Sequence, residues 1–136
     1  MKNPTDIKIL STIYNSYYET FTNFRNEKNE PTRYAKIYVP INCKSIGEKL
    51  EVDGEIIFGR LYYYLNEKYS FRREDNVKVE FFALRIGNEE KCIQFPLMAS
   101  VLARLMDERR RYMTSTLIAI ISLVISFLAV VIAALF

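Results

Sequence analysis

Residues 42–69 read NCKSIGEKLEVDGEIIFGRLYYYLNEKY. Asn42 and Asp53 each carry a short side chain that accepts a hydrogen bond from a free amide in the first turn of a helix, so each marks a helix start. CKSIGEKL then forms a short helix ending at Leu50, and a second runs from Gly54 to about Tyr69. Only Glu51, Val52 and Asp53 lie between them. Two helices joined by so tight a turn make a helix-turn-helix, here about residues 43–69. The apolar positions suit that packing: Ile46 and Leu50 on the first helix, Val52 in the turn, and Ile57, Leu61, Tyr64 and Leu65 on the second. Gly47 falls where the helices cross and lets their backbones approach. Three consecutive tyrosines cannot all face water, which puts Tyr64 in the core.

Upstream, Asn3 is the expected N-cap of a first helix, with Pro4 at its first position and Asp6 in its first turn. Ile7, Leu10, Tyr14, Tyr17, Phe21 and Phe24 recur at alternating spacings of three and four, an amphipathic helix whose aromatic half reads as core. Residues 26–35 are polar and contain Pro31, a loop; KIYV at 36–39 is a short strand stopped by Pro40. Downstream, after the polar run RREDN, residues 77–95 read as a β-hairpin. Its strands are VKVEFFALRI and KCIQF, and its turn is Gly87, Asn88, Glu89 and Glu90. The alternation slips at Phe81-Phe82, which implies a bulge or burial on both faces. Pro96 starts a linking helix, 96–112, with Leu97, Met98, Val101, Leu102, Leu105 and Met106 on its apolar side.

Residues 114–136, TSTLIAIISLVISFLAVVIAALF, contain no charge and no proline. At about 1.5 Å per residue such a helix crosses a hydrocarbon core of about 30 Å. A transmembrane helix is therefore expected at 113–136, entered without a break, because nothing from 97 onward is Pro or Gly. Arg109, Arg110 and Arg111 flank it on one side, which predicts a cytoplasmic N-terminal domain and a tail-anchored arrangement. Those arginines can also pair with anionic lipid headgroups. Ser115, Ala119, Ser122, Ser126, Ala129 and Ala133 share one helical face, a stripe through which two such helices could approach closely and self-associate into a homo-oligomer.

Up to residue 103 the domain, residues 1–111, is nearly neutral. The chain holds 19 Lys and Arg against 16 Asp and Glu; four of those arginines and two of the carboxylates fall within 104–111, which leaves 15 basic and 14 acidic side chains before them. There is no histidine, and Cys43 and Cys92 lack the spacing of a metal or redox motif. That removes the usual zinc sites, haem attachment and His-based acid–base chemistry. No phosphate-cradling glycine loop or nucleophile–base constellation is present, so neither an enzyme nor a cofactor or metal site is expected. Two unpaired thiols suit a reducing compartment. Cys43, at a helix start, could have a lowered thiol pKa, but no base or partner is in view and it reads as structural.

Helix, short strand, helix-turn-helix and hairpin is the order of a winged helix. Residues 36–95 resemble a winged helix-turn-helix domain of the bacterial transcription-regulator type, with SIGEKLEVDGEIIFGRLYYYLNEKY carrying the apolar spacing; Glu51 departs from the Gly favoured in that turn. The resemblance implies an α+β fold with residues 54–69 as recognition helix, Arg85, Gly87, Asn88, Glu89, Glu90 and Lys91 in the wing, and a bacterial inner membrane as the location. The outward positions would be Asp53, Gly54, Glu55, Phe58, Gly59, Tyr62 and Tyr63, with Arg60 nearby. DNA readers place Arg, Lys, Asn or Gln there. Here stand carboxylates, glycines and aromatics, and the wing tip adds Glu89 and Glu90. Lys44, Lys49, Lys68, Arg72, Arg73, Arg85 and Lys91 compensate only in part. The expected function is a membrane-tethered module acting through a protein partner and self-association. A membrane-anchored DNA-binding regulator is the alternative, in which the family usually carries a sensor domain beyond the span.

Overall fold

The computed structural model describes residues 3–136. They fall into two units, a domain ending at Leu102 and a helical segment from Ala103 to Phe136.

The domain is α+β. Its elements are α1 (Asp6–Thr22), β1 (Tyr38–Pro40), α2 (Cys43–Leu50), α3 (Gly54–Gly59), a π-helical stretch π1 (Arg60–Leu65), α4 (Asn66–Tyr69), β2 (Phe71–Arg72), β3 (Lys78–Val79), β4 (Phe82–Ile86), β5 (Glu89–Gln94) and the first two turns of α5 (Phe95–Leu135). Helix α1 starts later than expected. Thr5, not Asn3, is its N-cap, with its side chain accepting from the Lys8 amide, and Thr22 rather than Phe24 ends it. Ile9, Leu10 and Ile13 are its fully buried residues, and the aromatic half is only half-buried. Tyr14 and Phe21 stack on the buried Phe95 with ring centroids 5.4 and 4.7 Å apart, so α1 closes over the start of α5 within the domain.

The α2–α3 pair follows the sequence closely. Asn42 accepts from the Ser45 amide and Asp53 from the Glu55 amide. Glu51 stands in the left-handed conformation at φ 60°, the geometry for which Gly is favoured after a helix. A methyl group on Gly47 would lie 2.6 Å from the Val52 carbonyl oxygen, so the crossing is tight enough to require glycine. Ile46, Ile57, Leu61 and Leu65 are fully buried.

Beyond Gly59 the helix departs from the expected 3.6-residue period. It continues without a break in backbone conformation but widens into a π turn over Arg60–Leu65, then tightens again through Tyr69. A π turn rotates less per residue than an α turn. Leu61 and Leu65 therefore come into line over the core, and Tyr64 swings out, 48% exposed instead of buried.

The main sheet has strand order β1-β5-β4, all antiparallel, with Val39 opposite Ile93 and Phe82 opposite the same residue on the other side. The first strand lies at 38–40 rather than 36–39, and Pro40 is inside it; as an edge position its missing amide leaves no central ladder bond unmade. The single strand expected over 77–86 is two strands. Lys78–Val79 pairs with Phe71–Arg72 in a separate, largely exposed ribbon whose turn holds Asn76 at φ 64°, and β4 begins only at Phe82. The break has a physical cause. Phe81, Phe82 and Ala83 are all buried, which no alternating strand can achieve. Asn66 and Ser70 satisfy the freed backbone: the Phe82 amide donates to Asn66 Oδ1 at 2.9 Å and the Phe81 amide to Ser70 Oγ at 3.0 Å. The hairpin turn is two residues, Gly87 and Asn88, with Ile86 opposite Glu89, so Glu89 and Glu90 belong to β5. Gln94 caps α5 by accepting from the Leu97 amide, and that helix begins at Phe95, one residue ahead of Pro96.

The second unit is the remainder of α5. Leu105 is half-exposed and Met106 exposed. An 18-residue window of this helix has mean hydropathy 3.0 with none of it buried, which makes it long and apolar enough to cross a membrane.

Candidate interaction face

The outward face of the α3–π1–α4 helix is built by the π turn. Aligning Leu61 with Leu65 also brings Phe58 and Tyr62 together; their rings stack at 5.4 Å, and Phe58 meets the buried Phe82 edge-on at 5.9 Å. Tyr63 stands against Tyr62 at 5.0 Å and is 74% exposed. Tyr64 and Ile56 on the same helix are also exposed, and Lys68 lies over the Tyr64 ring at 5.6 Å. The aromatic ridge is thus rooted in the core through Phe82 and open at Tyr63. Aromatic side chains held with few free torsions are the anchors on which protein interfaces concentrate their binding energy.

The residues expected to face outward divide. Asp53, Glu55 and Tyr63 are exposed. Phe58 and Tyr62 are half-buried, against expectation, because the ring stack and Phe82 cover one side of each. Gly54 is a packing glycine: a methyl there would meet Lys44 Cα at 2.8 Å. Gly59 is half-buried but unobstructed, a Cβ meeting nothing closer than the Tyr63 ring at 3.9 Å. Arg60 turns inward, donating to Asp6 at 2.8 Å and to Asn3 Oδ1 at 2.9 Å. Arg60 is therefore engaged by α1 and its cap region, with its side chain mostly buried, while Lys68 stays at the surface over the Tyr64 ring.

At the hairpin Glu89 turns back onto the domain. Its Oε1 accepts from the Tyr34 amide at 2.7 Å, and Oε2 is buried, so this carboxylate pins the 23–37 loop instead of projecting from the tip. Gly87, at φ 61°, lets the Tyr34 ring lie against the turn, where a Cβ would come within 2.6 Å of it. Glu90 and Arg85 pair with each other at 2.8 Å on the exposed strand face, Asn88 is exposed, and Lys91 reaches back over the Phe58 ring at 5.4 Å. The hairpin and the aromatic ridge are thereby joined through Lys91 and Phe58.

Several contributors to this face and its support have no sequence signal. Arg33 donates to the Thr20, Phe21, Ala35 and Lys36 carbonyls, closing the end of α1 onto the loop, yet in sequence it is one arginine in a polar run. Asn66, buried and bonded to Ser70 and Phe82, reads in sequence as an ordinary helix residue. Cys43 is not an activated thiol; burial raises its pKa, with Lys91 opposing. Burial likewise pushes the Cys92 thiol up to about 11, with Glu89 adding to the shift. Both cysteines are free. Among the described residues no group of His, Cys, Asp and Glu is placed to hold a metal ion.

In the second unit, Asp107 pairs with Arg110 at 3.6 Å and Arg111 at 3.1 Å, and Arg104 with Glu108 at 3.8 Å. Ser115, Ala119, Ser122, Ser126, Ala129 and Ala133 are all exposed and fall within a sector of about 80° around the helix. The Ser126 hydroxyl donates back to the Ser122 carbonyl at 2.9 Å. No protein-family profile, curated protein or solved structure matches the chain.

Proposed function

We propose that this chain is a membrane-tethered binding module whose winged-helix domain engages a protein partner through the aromatic ridge of residues 54–69. The observation that carries the proposal is the inward turn of Arg60 beneath an exposed Tyr63. A face whose one arginine is held by Asp6 and Asn3, whose lysines Lys68 and Lys91 lie over the Tyr64 and Phe58 rings, and whose edge holds Asp53 and Glu55 offers few cations to neutralise phosphates, and neutralised phosphates supply most DNA affinity. The same face, apolar and rigidly backed, suits a desolvated protein contact. The winged-helix identity is supported by the element order, by the three-residue turn between α2 and α3, and by the β1-β5-β4 sheet. The β2–β3 ribbon and the π turn are additions to that plan.

The apolar helix anchors the module in a bilayer, with the arginine-flanked end and the domain on the cytoplasmic side. Self-association through the small-residue stripe raises the local concentration of domains at the surface and makes weak partner contacts multivalent. The test is fluorescence anisotropy of mixed-sequence duplex DNA against the full chain in lipid nanodiscs. No binding is expected even at about 50 mM salt, where phosphate contacts are strongest. Micromolar binding with a steep salt slope would assign the chain to the membrane-anchored DNA-binding regulators instead.

A further inference from the structure

We infer that the face of α5 running from Arg109 to Ile120 is a binding site for one anionic phospholipid, with the phosphate at Arg109 and an acyl chain along Met113, Leu117 and Ile120. The inference rests on the membrane reading above and adds a partner and a side of the helix to it.

The charge pattern selects the face. At about 100° per residue, Asp107, Glu108 and Arg111 all lie roughly 100° or more around the helix from Arg109. The two acids are engaged there by Arg104, Arg110 and Arg111. Among the described residues no carboxylate lies within ion-pair distance of Arg109. Its charge is left for an external anion, with Arg110 beside it and 80% exposed despite its 3.6 Å pairing.

The surface continuing from Arg109 is shaped for a chain. Met113, Thr116, Leu117 and Ile120 lie within about 80° of it on the helical wheel. Together with Tyr112 they line an open groove of about 680 Å³. From Tyr112 to Ile120 the helix rises about 12 Å, so a headgroup at Arg109 would lay its acyl chain along most of the depth of one leaflet, whose hydrocarbon is about 15 Å thick. Tyr112 falls at the boundary, where amphipathic rings settle at headgroup level.

The small-residue stripe lies about 150° around the helix from the centre of this groove. One side of α5 is therefore free to meet a second copy while the other holds lipid, and neither excludes the other.

The test uses the full chain in phosphatidylcholine bilayers containing a minor fraction of spin-labelled phosphatidylglycerol, with spin-labelled phosphatidylcholine as the comparison. Electron paramagnetic resonance reads the lipid immobilised on the protein. The wild type should immobilise phosphatidylglycerol preferentially, and Arg109→Gln should weaken that preference about fivefold, the factor expected for one arginine near an anionic lipid. Arg111→Gln removes the same charge from the opposite face and should leave the preference nearly intact. Equal losses in the two variants would mean diffuse surface charge and overturn the site, as would the absence of any preference in the wild type. Alkaline carbonate extraction of the same bilayers separates the two levels: release of the chain would overturn the membrane reading itself.

Discussion

Gly47→Ala should lower stability by about 1–3 kcal/mol in denaturant unfolding, because the atom that a Cβ would meet is backbone and cannot swing away. That atom is the Val52 carbonyl oxygen, 2.6 Å from the added methyl. The place of Gly47 at the helix crossing is legible in the spacing of the apolar residues around it. The caps at Asn42 and Asp53 are equally legible, since a cap is a local device. Asn3, Arg60 and Glu89 are not. Each finds its partner far along the chain, Asn3 and Asp6 with Arg60 and Glu89 with Tyr34, and no local pattern encodes such a pairing. Cys92 makes stability depend on pH. Its thiol is neutral when buried and titrates at about 11 in the fold, above the ordinary value of 9.0. The unfolded chain therefore loses that proton first as pH rises. The stabilising effect of the neutral thiol is complete below about pH 9 and is lost between about pH 9 and 11, with a slope of at most about 1.4 kcal/mol per pH unit. Cys92→Ala should flatten this alkaline limb relative to wild type in unfolding measured across that range.

At the scale of elements, the helices and the hairpin are legible as kinds, and the departures have specific causes. The π turn is invisible to a 3.6-residue period, so the period places Tyr64 in the core when the widened turn sends it out. The strand over 77–86 reads too long because Val77, Val79, Phe81 and Phe82 look continuous. Burial of Phe81, Phe82 and Ala83 together, with Asn66 and Ser70 holding the backbone, breaks it. The hairpin turn is a second device joined to a distant loop. Gly87→Ala combines a positive φ with an approach of 2.6 Å to the Tyr34 ring, and it should cost about 1–2 kcal/mol and speed proteolysis within residues 23–37. Adding Tyr34→Ala should recover part of that loss, since it removes the ring but not the backbone strain. No recovery would place the whole cost in the turn itself.

On the scale of the whole molecule, the α+β class and the long apolar helix can be read from composition and period alone. The proposed binding face can be read only in outline, because it is set by the π turn and by Arg60. If the small-residue stripe mediates self-association, Ser122→Leu combined with Ala129→Leu should weaken dimerisation several-fold in a membrane two-hybrid assay. Val124→Leu lies on the opposite side of the same span, leaves the stripe intact and should have no effect. The most direct measurement of the central proposal is site-specific photo-crosslinking in intact cells from a benzophenone amino acid placed at Tyr63, with the same group at Lys28 on the exposed loop as the positional control. A discrete protein adduct is expected from position 63 that is absent from position 28. A nuclease-sensitive adduct from position 63, or no adduct beyond that of the control, would contradict it.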